Sequence, residues 1–334
     1  MAVAVIISIL ASMVLFAVAD ARLTGEIAAT KSTIAKLDTL LRRQWMSYQT
    51  RRVPLPPGST AADRLAALRQ VMRMELPGVW EDVTTDSALF TQSGGNLPAL
   101  NRAYRQYKSS TSADNQFSSA ECLYMIVTVA FAAESRGMFD DSQIGDVDGD
   151  GAKEFIDAWG TPIRFIRWPI GFVNDDYHDG TATSAERIGF LSDIMPPMME
   201  DPSGNCWPDA NARHDPFDVM AKDEVAFFVY PLIYSAGPDK IFDIYGGVLG
   251  ANDNPYIEVS SGTGSAQDIT ARPTCQAYKI LEKKDGDSWP SGAAPRYAGR
   301  PKDLNSWEGG ASVGANGELN HYDNIHNHSL NAGR

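Results

Sequence analysis

The sequence predicts an α+β protein: a long N-terminal helix, a helical region packed beside it, and a small antiparallel β-sheet. Three observations carry this. The first fifty or so residues hold one helical pattern without a turn signal. Apolar residues then recur at helical spacing as far as about residue 133, and beyond Gly160 the period changes to two. The chain has 334 residues, enough for a sizeable core. Its formal net charge of -13 argues against nucleic acid as a partner, because a phosphate backbone selects a positive field.

Residues 1–53 read as one helix in two halves. From Ala2 to Ala19 there is no charged residue. At 1.5 Å per residue this stretch reaches roughly 27 Å, close to the hydrocarbon thickness of a bilayer. In residues 20–53, Leu23, Ile27, Ile34, Leu37, Leu41 and Tyr48 recur at helical spacing between charged residues, the pattern of an amphipathic stalk. Gly25 is the one weak point, and Pro54, Pro56 and Pro57 end the helix. A signal peptide cleaved after Ala19 is the rival reading: Ala17-Val18-Ala19 fits the small-residue pattern, but a positively charged start is missing and the helix runs on.

Residues 54–282 are expected to form a globular head. Thr60 and Asp63 cap a helix that runs to about Glu75 and stops at Pro77-Gly78. A short surface helix follows over Leu97–Tyr107. Ser118 or Ser119, with Glu121 behind it, opens a third helix that continues to Ala133, too short to span a bilayer and therefore buried. Thr161–Trp168 alternates Ile163 and Phe165 with Arg164 and Arg167, as a half-buried strand does. Glu224–Ser235 reads as a second strand, with Pro231 favouring an edge or a bulge. Residues 174–220 form a long insertion, and 283–334 are a Gly/Asn-rich tail expected to lack order of its own. Of three cysteines, Cys122 falls in an apolar helix as a small buried hydrophobe, and Cys206 and Cys275 are the better candidates for a pair.

The most specific chemistry lies in Asp146-Val-Asp148-Gly-Asp150-Gly151-Ala-Lys-Glu154-Phe-Ile-Asp157. Oxygen donors stand at loop positions one, three, five, nine and twelve, with glycine at six, the spacing of an EF-hand loop. Ca²⁺ takes six to eight hard oxygens, and a chain turned tightly by glycine delivers them. Asp146, Asp148, Asp150, Glu154 and Asp157 are therefore the expected ligands of a structural Ca²⁺. Asp157 replaces the usual glutamate, Lys153 stands where an apolar residue is expected, and no clear helix follows the loop. His321, His326 and His328 read as a solvated segment, and neither a nucleophile elbow nor a phosphate-binding glycine loop is present.

Asp157-Ala-Trp159-Gly160-Thr-Pro162 resembles the Asp-x-Trp-Gly-x-Pro segment before a sheet strand in major pseudopilins, and Ile233-Tyr234-Ser235-Ala-Gly237-Pro-Asp239 resembles their Tyr-Ser-x-Gly-x-Asp strand end. Thr33-Ile-Ala-Lys36, Arg51-Arg52-Val53-Pro54 and Asp323-Asn324-Ile325 are similar to the large pilin-like proteins of planctomycete-type bacteria. The resemblance implies a pilin-like fold and a structural subunit, not an enzyme, of a type II secretion or type IV pilus assembly. Its N-terminal helix would cross the bacterial inner membrane once and join other pilin-like subunits as a homo- or hetero-oligomer. Its head would face the periplasm or cell surface. The resemblance also implies a second Ca²⁺ site after the strand end, at Asp239 and Asp243. The family's basic leader, with its Gly, Phe and nearby Glu, has no counterpart in this sequence, so the resemblance implies a native start upstream of Met1. A secreted calcium-binding or adhesin-like module is the alternative.

Overall fold

The computed structural model describes residues 2–53, 55, 57–84, 97–111, 117–169, 198–200, 206–208, 216–220, 230–242, 279–280, 296–297 and 325–327. Helix α1 (Ala2–Ser47) is unbroken for 46 residues, about 69 Å, and closes in a 3₁₀ turn at Tyr48–Thr50. It ends several residues before Pro54. Its two halves differ as their sequences do. Apolar side chains from Val3 to Val18 are exposed, whereas Ile34, Leu37, Leu40, Leu41, Trp45 and Tyr48 are buried in the core. Leu23, expected on the packed stripe, is exposed, and Ile27 is the first apolar residue to touch the head.

Helix α2 (Ala61–Glu75) begins as expected. Thr60 and Asp63 form a reciprocal capping box, with Asp63 N donating to Thr60 Oγ1 at 3.2 Å and Thr60 N donating to Asp63 Oδ2 at 2.8 Å. Helix α3 (Trp80–Thr84) follows the Pro77-Gly78 break, and α4 spans Ala99–Ser109. Helix α4 is more than a surface helix: Asn101 and Tyr104 are fully buried, and Tyr104 donates to the carbonyl of Glu75 at 3.1 Å. Helix α5 (Ser118–Met125) gives way to a wide π-type turn at Ile126–Ala130, so the regular helix ends earlier than its apolar run. Neither serine caps it. Ser118 Oγ accepts from the Trp80 N–H at 2.9 Å. Ser119 Oγ donates to the Phe165 carbonyl at 2.5 Å and accepts from its N–H at 3.0 Å.

The main sheet has three antiparallel strands: β3 (Arg164–Ile166), β6 (Leu232–Ser235) in the middle, and β9 (Ile325–His326). Phe165 pairs with Ile233, and Ser235 pairs with Ile325. The Ser119 hydroxyl satisfies the outward peptide groups of Phe165, closing the β3 edge against further pairing. Strand β6 is central, so Pro231 precedes a ladder and does not mark an edge; its carbonyl accepts from Asn327 Nδ2 at 3.0 Å. Strand β3 is buried throughout, and neither Arg164 nor Arg167 just beyond it faces water. Arg164 stacks on Phe242, 3.8 Å from the ring centroid, and Arg167 pairs with Asp82. The C-terminal region, expected to lack order of its own, supplies β9 and the buried Asn327.

Two short pairs stand apart from this sheet: β4 (Met198–Glu200) with β5 (Cys206–Pro208), and β7 (Lys279–Ile280) with β8 (Arg296–Tyr297). Most of the 174–220 insertion lies outside the described residues, as does Cys275. From that insertion Phe217 packs edge-on to Trp45, 5.4 Å between centroids, as Tyr230 does at 6.4 Å. Trp45 thus fastens the stalk to the head, and Asp38 reinforces it by accepting from Tyr230 at 2.9 Å and from Asn327 at 2.7 Å.

Candidate metal-binding loop

The acidic loop is the connection of a small hairpin, β1 (Ile144–Gly145) with β2 (Glu154–Phe155). Helix α1 holds both ends of this unit. Gln143 Nε2 donates to Thr33 Oγ1, and Ala158 N donates to Thr30 Oγ1 at 3.1 Å. Helix α5 packs against β2. Gly149 and Gly151 adopt φ of 79° and 93°, the left-handed region that glycine enters without steric cost. Their turns aim the loop's N–H groups at its own carboxylates. Asp146 accepts from Gly149 N at 2.8 Å and Gly151 N at 3.1 Å, Asp150 from Ala152 N at 2.7 Å, and Glu154 Oε2 from Val147 N at 3.1 Å.

Four of the five expected ligands gather here, in two overlapping clusters. One carboxylate oxygen each from Asp146, Asp148 and Asp150 lie within 4.8 Å of one another, on the outer side of the loop. The same limit encloses Asp148, Glu154 and Glu121, the last contributed by α5. Asp157 does not join either cluster. Its Oδ1 accepts from Trp159 N and Thr161 N, both at 2.9 Å, and its Oδ2 accepts from Ser235 Oγ at 2.7 Å. The cause is the backbone after position nine. An EF-hand continues into a helix that returns its twelfth residue to the ion. Here Glu154–Phe155 is extended, and roughly 3.3 Å per residue carries Asp157 away. The role of Asp157 is to brace the turn at Gly160, φ 81°, and join it to the end of β6.

Glu121 was legible only as an acidic residue in the first turn of a helix; nothing in its local pattern points to the loop 25 residues on. It is 1 % exposed and Glu154 is 0 % exposed. Glu121 Oε2 accepts from the indole N–H of Trp80. The Oε1 atoms of Glu121 and Glu154 are buried and have no hydrogen-bond partner among the described residues. Burial first, then the neighbouring loop carboxylates, push both side chains up to about 8, against the opposing hydrogen bonds from Trp80 and Val147. A hard cation is a ligand that such a set of oxygens can hold.

At the proposed second site, Asp239 Oδ1 accepts from Ile241 N at 2.8 Å in an exposed turn, and Lys240 has a left-handed φ of 64°. Asp243 lies outside the described residues.

No protein-family model, curated protein or solved structure matches the chain. The long apolar helix followed by a small sheet is loosely pilin-like in shape, and α1 is the one helix among the described residues long and apolar enough to cross a membrane.

Proposed function

We propose that the chain is a structural, pseudopilin-like subunit of a type II secretion or type IV pilus-type assembly, not an enzyme. In this reading residues 2–19 cross the bacterial inner membrane once, the head faces the periplasm or cell surface, and α1 packs against the helices of other pilin-like subunits. Ca²⁺ held by the acidic loop stiffens the head. One observation carries the reading: a single helix is wholly exposed and apolar in its first half and built into the head core in its second. Side chains such as Ile7, Leu15 and Phe16 remain 61–77 % exposed. So continuous an apolar surface requires a cover of lipid or of other helices. The two polar side chains of this half need no water. Ser8 and Ser12 donate to the carbonyls of Val5 and Ile9 at 2.9 and 2.8 Å, satisfying the hydroxyl donors within the helix.

The secreted calcium-binding alternative also has support. The packed stripe of α1 begins at Ile27, so cleavage after Ala19 removes no core side chain. Photo-crosslinking separates the two. A photoreactive amino acid at Phe16, in cells of the source type, gives a ladder of covalent oligomers under the assembly reading. A signal-peptide reading gives mature protein without the label.

A further inference from the structure

We propose that the head holds its cation inward of the EF-hand-like positions, between Glu121 of α5, Asp148 and Glu154, so that the ion clamps helix to hairpin. The inference rests on the acidic-loop half of the proposed function and not on the filament half.

Two features support this placement, and the second separates it from the outer cluster. The first is proximity: the three carboxylates come from two segments that are distant in sequence, and the fold brings their oxygens within 4.8 Å. The second is burial with unmet bonding. Glu121 and Glu154 are almost wholly removed from water, and each leaves one oxygen without a hydrogen-bond donor among the described residues. Burying such an acceptor unpaired is costly, and a cation supplies the missing partner. Asp146, by contrast, is exposed, and its two oxygens already accept from the loop's own N–H groups. Its work is to shape the loop. Three carboxylates, able to bind through one oxygen or two, suit the irregular oxygen shell of Ca²⁺ better than the strict octahedron of Mg²⁺. Trp80 stands beside the site through its bond to Glu121, which gives the proposal a spectroscopic signature.

The test uses the full chain in detergent, stripped with chelator, with Ca²⁺ binding followed by calorimetry and Tb³⁺ binding by luminescence excited through tryptophan. Glu121→Gln, nearly isosteric and still able to accept from Trp80, is expected to weaken Ca²⁺ binding at least tenfold. Asp146→Asn, which loses one of the loop's internal bonds but no ligand of this site, is expected to weaken it less than Glu121→Gln does. At saturating Tb³⁺, Trp80→Phe is expected to lose most of the sensitised emission per bound ion, a readout that does not depend on how Glu121→Gln folds. Unchanged affinity in Glu121→Gln with loss in Asp146→Asn would place the ion in the outer loop and overturn the inference. Undiminished emission from a Trp80→Phe protein that still binds would do the same. If the unaltered chain binds no Ca²⁺ at millimolar concentration, the inference and the calcium part of the proposed function both fall. The membrane and filament reading would still stand or fall on its crosslinks.

Discussion

Asp82 is the residue on which α2, α3 and the end of β3 converge. It is buried, yet accepts from Arg167 Nη1 at 3.1 Å, from the Gly78 N–H at 3.0 Å, and from Arg73 Nε. Arg167 extends the network to the Leu76 carbonyl at 2.7 Å and lies over Trp168, 4.2 Å from the ring centroid. Removing one partner of a buried ion pair strands the others, so Asp82→Asn should cost about 3–5 kcal/mol. At about 2–4 °C per kcal/mol, the expected fall in Tm is on the order of 10 °C by thermal melt. The effect has a pH signature. Burial alone would push the Asp82 carboxyl up, but Arg167 and Arg73 outweigh it and hold the group below the usual carboxylate range. The unfolded chain therefore takes up this proton first as pH falls. The stabilisation is complete above the ordinary carboxylate pKa and is lost as pH drops through the folded value. The Tm gap between the unaltered chain and Asp82→Asn should thus be full at pH 7 and shrink below pH 4. None of this was legible from Arg167 itself. A strict period of two puts position 167 on the apolar face of Ile163 and Phe165, and nothing in that pattern names the buried Asp82 that lets a charge stand there.

At the scale of elements, the division of α1 into two jobs was legible, because it is written in charge. Val3 to Val18 carries none, and Asp20, Arg22 and Glu26 begin the wetted half, with Arg22 and Glu26 paired at 2.8 Å. The division predicts opposite outcomes for two substitutions. Trp45→Ala empties an aromatic-lined core site and should destabilise the head by about 3–5 kcal/mol. Ile7→Lys touches no part of the head core and should leave the head's melting point within about 1 °C. It should nonetheless deplete the membrane fraction, since a central lysine costs about 2.5–3.5 kcal/mol on insertion. Cell fractionation and melting in detergent check both arms. The Thr60 cap was equally legible, because capping is a local code. The end of α5 was not. Its apolar run continues, but Thr128 Oγ1 bonds back to Tyr124 O at 2.8 Å, and the chain widens and turns after Ala130.

In the whole molecule, the chain is drawn together where its N-terminal stalk, central strand and C-terminal segment meet. Asn327 Nδ2 reaches Asp38 at 2.7 Å, Asn327 Oδ1 accepts from Ile233 N at 2.9 Å, and β9 completes the sheet beside β6. A chain ending at Asn324, ten residues short, should therefore lose far more stability than the length of the cut suggests. It would leave Asp38 short of a donor and bare one edge of β6, and should be cut by protease at least tenfold faster than the full chain. The sequence could not announce this closure, because two residues of strand in a Gly/Asn-rich stretch have no periodicity to read. The acidic loop shows the same limit: its own carboxylates were legible from spacing, whereas Glu121 is brought to them only by packing.

The most direct test of the account is the N-terminal peptide of the native protein, identified by mass spectrometry on separated membrane and soluble fractions. The account predicts a membrane-bound chain that retains residues 2–19. A mature chain beginning at Asp20 and recovered from the soluble fraction would contradict it, leaving a secreted head without its membrane helix.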